Sequence, residues 1–463
     1  MKTSKRWIAL LLALAFVLTM IGCSKDTAGG QPSNGATAGS DTTSSTQTSP
    51  TKADKVTLTM ATFLYVEAPH RAVIDRLVEA YNKQNKNVEI SISGAGYGDF
   101  WNNLTSEILA NNETDIVQIY PENLASYQSL REGGTFLDLT ERFAATGLEG
   151  KLTGQETGVY DGKTLALSNY SWGTTAMFYR KSMLEAKGID PNSIKTQDDF
   201  LNACRVFSNG DNVAIGVVYG THAFSVSEWN RLIARPVSNG LYFKDGESGP
   251  YTAERLNCNS DANVWAAQWW NDFIAKENCA KLVLDKKDSR EMFWNGEVPF
   301  CMDGPWFIGM CQEHDAAMME DIGIIPQFNV VYNGTTYKPN PQNYPVLSLI
   351  SSNCKHPEEA WNFLLWMTSE EAQKIIADCG QIPASAEYAS SQEYKDAYPL
   401  SALFYDFISN YYTTLVSDPA IPEYNELNQV MIDAAAEMFN NTSVDVKPIL
   451  DAARDKMAGI LGS

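Results

Sequence analysis

The sequence predicts an α/β protein built as two lobes, and three observations carry that expectation. Strand-like and helix-like segments alternate through its first folded stretch. About 410 residues remain beyond an N-terminal leader and leash, and 44% hydrophobic with 11% aromatic residues is ample for two cores. Val56-Thr57-Leu58-Thr59-Met60 alternates with a period of two and runs into residues 63–67. Ile74, Leu77, Val78 and Tyr81 then fall at i, i+3, i+4 and i+7, the stripe of an amphipathic helix. Residues 88–92 predict a second strand. Ser93-Gly94-Ala95-Gly96-Tyr97-Gly98-Asp99 and a helix through Leu104 and Ile108 follow, and residues 115–120 predict a third strand closed by Pro121. This alternation implies parallel strands, with ligands beyond their carboxyl ends. Residues 63–67, 94–99 and 120–123 occupy those ends. Farther on, Thr196 and Asp199 form a capping box ahead of Phe200, Ala203 and Phe207. Pro357-Glu358-Glu359 opens a helix with Ala360, Phe363, Leu364 and Met367 on one face. A C-terminal helix pair carries Leu427, Val430, Met431 and Ala434, then Ile449, Ala453 and Met457.

Lys2, Lys5 and Arg6 precede a 15-residue apolar run, 7–21, that ends at Gly22-Cys23. The run is short for a bilayer core of ~30 Å, and its charged start and small-residue exit read as a secretory signal over residues 1–22. Met20-Ile21-Gly22-Cys23 resembles a bacterial lipoprotein box, although Met20 and Ile21 depart from the usual Leu and small residue. That resemblance implies lipidation of Cys23 and anchoring on the extracytoplasmic face of the cell membrane, where two acyl chains hold stably and one only marginally. The plainer readings are a secreted protein cut near this point or an uncleaved anchor. Residues 24–50 are almost entirely Ser, Thr, Gly, Ala, Gln and Asn, too poor in apolar surface to order, so 23–53 is expected to be a flexible linker.

The formal net charge is −21, and −24 without the three basic residues of the leader. Such acidity argues against nucleic acid and against electrostatic membrane binding. Beyond Cys23 stand seven cysteines, at 204, 258, 279, 301, 311, 354 and 379; none makes a CxxC pair, and the four histidines are scattered, so no metal site is expected. An odd count outside the cytoplasm leaves at least one thiol unpaired, or all seven reduced. The chain has no HExxH, GxSxG or Walker motif, so no enzyme and no cofactor is expected.

Four segments, in this order, resemble the extracellular solute-binding proteins of family 1, the maltose-binding-protein-like receptors of ABC importers. The first is residues 56–92, including Tyr81-Asn82-Lys83-Gln84-Asn85. The second runs from Tyr160-Asp161-Gly162-Lys163 to Met177-Phe178-Tyr179-Arg180-Lys181, similar to a YDGK…YN+ stretch with Arg180 in place of the commoner Asn. The third is residues 294–306, ending Asp303-Gly304-Pro305-Trp306. The fourth joins Tyr344-Pro345-Val346-Leu347-Ser348, Lys355-His356-Pro357-Glu358-Glu359-Ala360-Trp361 and Gly380-Gln381-Ile382-Pro383-Ala384. The resemblance covers roughly residues 56–460. It implies a two-lobed periplasmic-binding-protein-like fold (type II), its lobes joined by a hinge and closing over a solute. Lobe one is expected at 54–168 with 342–386, and lobe two at 169–341 with 387–463. A carbohydrate ligand, an ABC permease as partner and a monomeric state are further implications.

A sugar presents an apolar C–H face to an aromatic ring and hydroxyls to directed polar groups. Trp306 maps onto the family's Gly-Pro-Trp platform, with Asp303 beside it as a candidate acceptor of hydroxyl hydrogen bonds. Glu122 follows the third strand, where the family often places an acidic sugar-binding residue. Tyr65 and Glu67 lie at the first strand's exit, and Tyr97 with Asp99 at the second's. Trp172 precedes the Met177–Lys181 stretch near the first hinge crossing, Trp229 sits between Gly220 and Gly240, and Tyr424 follows Pro422 at a helix start. Trp265, Trp269 and Phe273 read instead as a core stripe. Asn257, Asn259, Asp261 and Asn263 resemble a calcium loop, but Ala262 and Gln268 replace its Gly and Glu, so the segment is expected to cap the helix. A glycosidase finds no distinguished carboxylate pair here. Glu67, Asp99, Glu122 and Asp303 favour a neutral or cationic solute. A polyamine, or a sugar-sensing role for a membrane kinase, therefore stays open.

Overall fold

Parallel strands need crossover helices between them, and that requirement shapes both halves of the molecule. The structure is a computed structural model that describes residues 55–220, 223–413 and 417–462. The expected signal segment, Cys23 and most of the linker therefore lie outside the described residues. Ten strands carry the fold: β1 Val56–Ala61, β2 Val88–Ser93, β3 Ile116–Ile119, β4 Ala166–Ser168, β5 Ala176–Arg180, β6 Ile215–Val218, β7 Ala280–Val283, β8 Phe300–Asp303, β9 Ile322–Ile325 and β10 Leu347–Ile350. They form two five-stranded sheets, ordered β2-β1-β3-β10-β4 and β7-β6-β8-β5-β9.

In the first sheet β1 is parallel to β2, with Val56 opposite Val88, and parallel to β3. β10 returns antiparallel beside both β3 and β4. In the second, β6 is parallel to β7 and β8, while β5 lies antiparallel to β8 and β9. The chain thus leaves the first sheet after β4, completes the second through β9, and returns to insert β10. A third crossing is tied to the first by a short antiparallel ladder of Ile382 on Trp172.

The expected helix after β1 spans Ala68–Gln84 and buries Val73, Ile74, Leu77 and Tyr81. These residues meet Leu58, Ile116, Leu349 and Phe363 in the core of the first half. The second half packs Phe200, Phe273, Phe300, Met431 and Met457 together, the last two from the C-terminal helices Tyr424–Met438 and Lys447–Ile460. Thr196 and Asp199 make the capping box expected of them, and Ser260 caps Asp261–Ala275. On that helix the buried stripe is rotated one residue from the expected one: Trp270 is buried, whereas Trp265 and Trp269 are half-buried. Trp269 still stacks on Phe273 at 5.4 Å. No described helix is long and apolar enough to cross a membrane.

All seven described cysteines are unpaired thiols, six of them buried and Cys354 half-buried. Burial pushes even the Cys354 thiol up to about 12, so little of the reactive thiolate forms at neutral pH. A thiol reagent at pH 8 is therefore expected to leave these seven cysteines almost untouched in the native protein and to label all of them in urea. Fast labelling of several native thiols would contradict this packing.

Candidate functional site

Residues at the carboxyl ends of β1 and β3 face the corresponding ends of β6 and β8, and four rings link the two sides. Tyr97 opens the helix Tyr97–Leu109, Tyr120 follows β3, Tyr344 lies on the returning crossing, and Trp306 opens the helix Trp306–His314. Their centroids are 6.5 Å apart from Tyr97 to Tyr120, 5.5 Å from Tyr120 to Tyr344 and 5.9 Å from Tyr344 to Trp306, the last pair at 90°. Phe63 supports Tyr120 from behind at 4.6 Å, and Phe224 of the second half stacks on Tyr97 at 5.8 Å. The indole of Trp306 lies so close to the chain that a Cβ on Gly304 would collide with the ring, and one on Gly173 would come within 3.0 Å of it.

Asp303, the last residue of β8, fixes that indole. Its Oδ1 accepts from Trp306 Nε1 at 2.5 Å, Gly304 N at 2.9 Å and Arg290 Nη2 at 3.2 Å, and its Oδ2 accepts from Arg290 Nε at 2.8 Å. Burial works against the charge, but Arg290 and Lys286 outweigh it and hold the carboxyl below its ordinary value. With this many donors already in place, Asp303 positions Trp306 and is not an open acceptor, contrary to the expectation from sequence.

Other polar groups here are unsatisfied. Glu122, in the turn Pro121–Asn123, is 7% exposed, and its Oε2 has no hydrogen-bond partner among the described residues. Arg231, also 7% exposed, lies over the Tyr344 ring at 4.5 Å with its Nε unpartnered. Gln342 Nε2 and Asn343 Oδ1, beside Tyr344 on the crossing, are likewise buried without partners among the described residues. Burial, with Asp418 nearby, raises Glu122 from 4.5 to about 8 against the opposing pull of Arg231 and Arg235. Tyr424 donates to Asp418 Oδ2 at 2.8 Å, and Arg235 stands 3.8 Å from Asp418 Oδ1. Glu67 is raised to about 7 by burial, with Arg290 opposing, but a third of its side chain stays exposed, so Glu122 carries the firmer shift.

Of the residues singled out in the sequence, Glu67, Tyr97, Glu122, Asp303, Trp306 and Tyr424 come together here. Four do not. Tyr65, in the turn before the helix Ala68–Gln84, donates to Asp75 on that helix at 2.8 Å, and Asp99 is exposed on the first turn of Tyr97–Leu109. Trp172 is buried beside Tyr405, and Trp229 is fully buried against Phe439. Both indoles belong to apolar cores, which a position near a crossing or between glycines does not reveal. Sequence reasoning passed over Tyr120, Arg231, Arg235, Arg290, Tyr344 and Asp418. Tyr120, at the end of a marked strand, was the most accessible of these, whereas the arginines lie on helices whose orientation only the packing sets.

A carboxyl raised on folding binds more protons folded than unfolded. The ligand-free fold therefore loses stability as pH climbs from about 4.5 to about 8, the window set by Glu122. The melting temperature is expected to fall over pH 5–8.5, and Glu122→Gln to flatten that slope; parallel slopes in the two proteins would exclude Glu122 as its source.

The family model for bacterial extracellular solute-binding proteins matches residues 76–401. Among curated relatives, the maltotriose-binding protein of Pyrococcus abyssi is 25% identical over 266 residues, covering 56% of this chain and about half, 51%, of that protein. The arabinooligosaccharide-binding protein of Bacillus subtilis is 24% identical over 358 residues, 73% of this chain and 76% of that one. Maltose-bound T. maritima MalE3 superposes with a TM-score of 0.73 at 18% identity, covering 88% of this chain and 100% of its own. An ABC substrate-binding protein of Listeria monocytogenes in complex with cycloalternan does so at 0.71 and 19%, with the same coverage. These structures establish the two-lobed fold. With the family model spanning most of its folded length, the chain belongs to the bacterial extracellular solute-binding proteins.

Proposed function

We propose that this chain captures a carbohydrate, most simply an oligosaccharide, between its lobes and delivers it to the permease of an ABC importer. The observation that carries this reading is the ring tract Tyr97–Tyr120–Tyr344–Trp306 flanked by two unpartnered polar atoms, the Glu122 carboxyl oxygen Oε2 and the donor Arg231 Nε. Rings take the C–H faces of a sugar, and a hydroxyl both donates and accepts, so it satisfies the two orphaned groups at once. The curated relatives are named for binding maltotriose and arabinooligosaccharide, which supports the same class. Three arginines, Arg231, Arg235 and Arg290, stand among the carboxylates and weigh against a polyamine. On this reading the protein is a receptor and performs no chemistry. Lobe one comprises residues 54–168 with 342–386, lobe two comprises 169–341 with 387–463, and Cys23 bears the lipid tether outside the membrane.

The reading is tested by melting the protein with mono- and oligosaccharides, polyamines and phosphate esters. A ligand at 100 times its dissociation constant adds ~2.7 kcal/mol of stability. A shift with a sugar supports the assignment, and a shift with polyamine alone overturns the substrate class. Trp306→Ala and Tyr120→Ala each remove an aromatic face worth about 1.5–3 kcal/mol, a loss of roughly ten- to a hundredfold in affinity. Gly304→Ala, which drives a methyl into the indole, is expected to weaken binding comparably without unfolding the protein. Wild-type affinity in all three variants would remove Trp306 and Tyr120 from the site.

A further inference from the structure

A second concavity, of about 530 Å³, lies in the second half between the helix Arg235–Ser238 with the loop after it and the chain at 337–340. That volume is within the ~300–1,000 Å³ usual for ligand pockets. We propose that this groove is a subsite for the outer units of an oligosaccharide whose inner units occupy the cleft; the inference rests on the carbohydrate reading above.

Its lining has sugar-binding chemistry. Tyr337 offers a half-buried ring, and Lys338 and Asp245 contribute one charge of each sign, which suits a neutral chain. Asn340, 7% exposed, donates through Nδ2 to Asn239 Oδ1 at 3.2 Å, yet its Oδ1 has no partner among the described residues. A buried amide oxygen left open is unfavourable, and a hydroxyl donor would relieve it.

Groove and cleft are adjacent on two elements at once. The helical run 230–238 brings Arg231 and Arg235 to the cleft, and its last residues line the groove, one turn farther at ~5.4 Å per turn. The crossing segment brings Asn340 to the groove, and Gln342, Asn343 and Tyr344 to the cleft. Groove and cleft thus share two elements, and a chain of several units spanning both would present hydroxyls to Asn340 Oδ1 and a C–H face to Tyr337, contacts a disaccharide held in the cleft does not make.

Titration calorimetry of the full chain with maltodextrins and arabino-oligosaccharides of two to seven units tests this. In at least one series affinity is expected to rise about tenfold or more with length, and Asn340→Leu to cost the longest chains about 5–20-fold while leaving the disaccharide within twofold. Should Asn340→Leu fail to fold, Lys338→Ala, at an exposed position, decides by the same comparison. Equal affinity at every length, or equal losses on short and long chains, overturns the groove and leaves the carbohydrate reading standing. Absence of binding at any length in both series removes that reading and the groove with it.

Discussion

A carboxylate buried at the end of a strand is tolerable only where donors surround it, and the second half of this protein is organised around that constraint at Asp303. Arg290, the Gly304 amide and the Trp306 indole supply those donors. A second buried pair braces the same strand ends: Lys286 donates to Glu228 and to Met302 O, both at 2.8 Å, and Glu228 accepts from Val218 N at 2.9 Å. The ends of β6 and β8 are thereby locked to the helices that follow, and Trp306 and Arg231 are presented from a fixed shelf.

The contrast between satisfied and unsatisfied groups sorts the carboxylates more sharply than proximity does. Asp303 and Glu228 are both deeply buried, and their oxygens are engaged by the protein. Glu122 is buried as well but has an oxygen to spare, and it stands near Arg231, which has a nitrogen to spare. Buried groups are normally paired, so two orphans that converge mark a place where a partner fits.

Strand period and helix stripe located the first half well, because β1, β2, β3 and the helix Ala68–Gln84 are each coherent over several residues. They also singled out three candidate residues that follow strand ends, Glu67, Tyr97 and Glu122, which the fold brings to one region. Trp306 and Asp303 were found through a resemblance, and the local sequence could not say that Asp303 would turn inward to hold the indole. The two tryptophans that fall outside the site share one cause. A lone Trp in an irregular stretch carries no periodicity, so Trp172 and Trp229 could be assigned to core or cleft only once the packing of Tyr405 and Phe439 against them was known. Arg231 and Arg290 were passed over for the converse reason, since a helical arginine reads as a solvated charge until the facing strand is placed.

On the proposed reading, the same orphaned groups explain why closure would await a ligand. The halves already touch, Ser126 Oγ donating to Pro422 O at 2.9 Å and Phe224 stacking on Tyr97. Bringing them together also strips water from Glu122 and Arg231, and from Gln342 and Asn343 on the crossing between them, at ~1–3 kcal/mol for each group left unmade. An open form, in which water solvates these groups, avoids that cost. Turning a 1:99 population into 99:1 takes about 5.5 kcal/mol of differential affinity, and four such groups satisfied together supply energy of that order. A solute that touched one lobe alone would bind without closing the protein, whereas one that pairs with both Glu122 and Arg231 draws the lobes shut through the contacts that identify it.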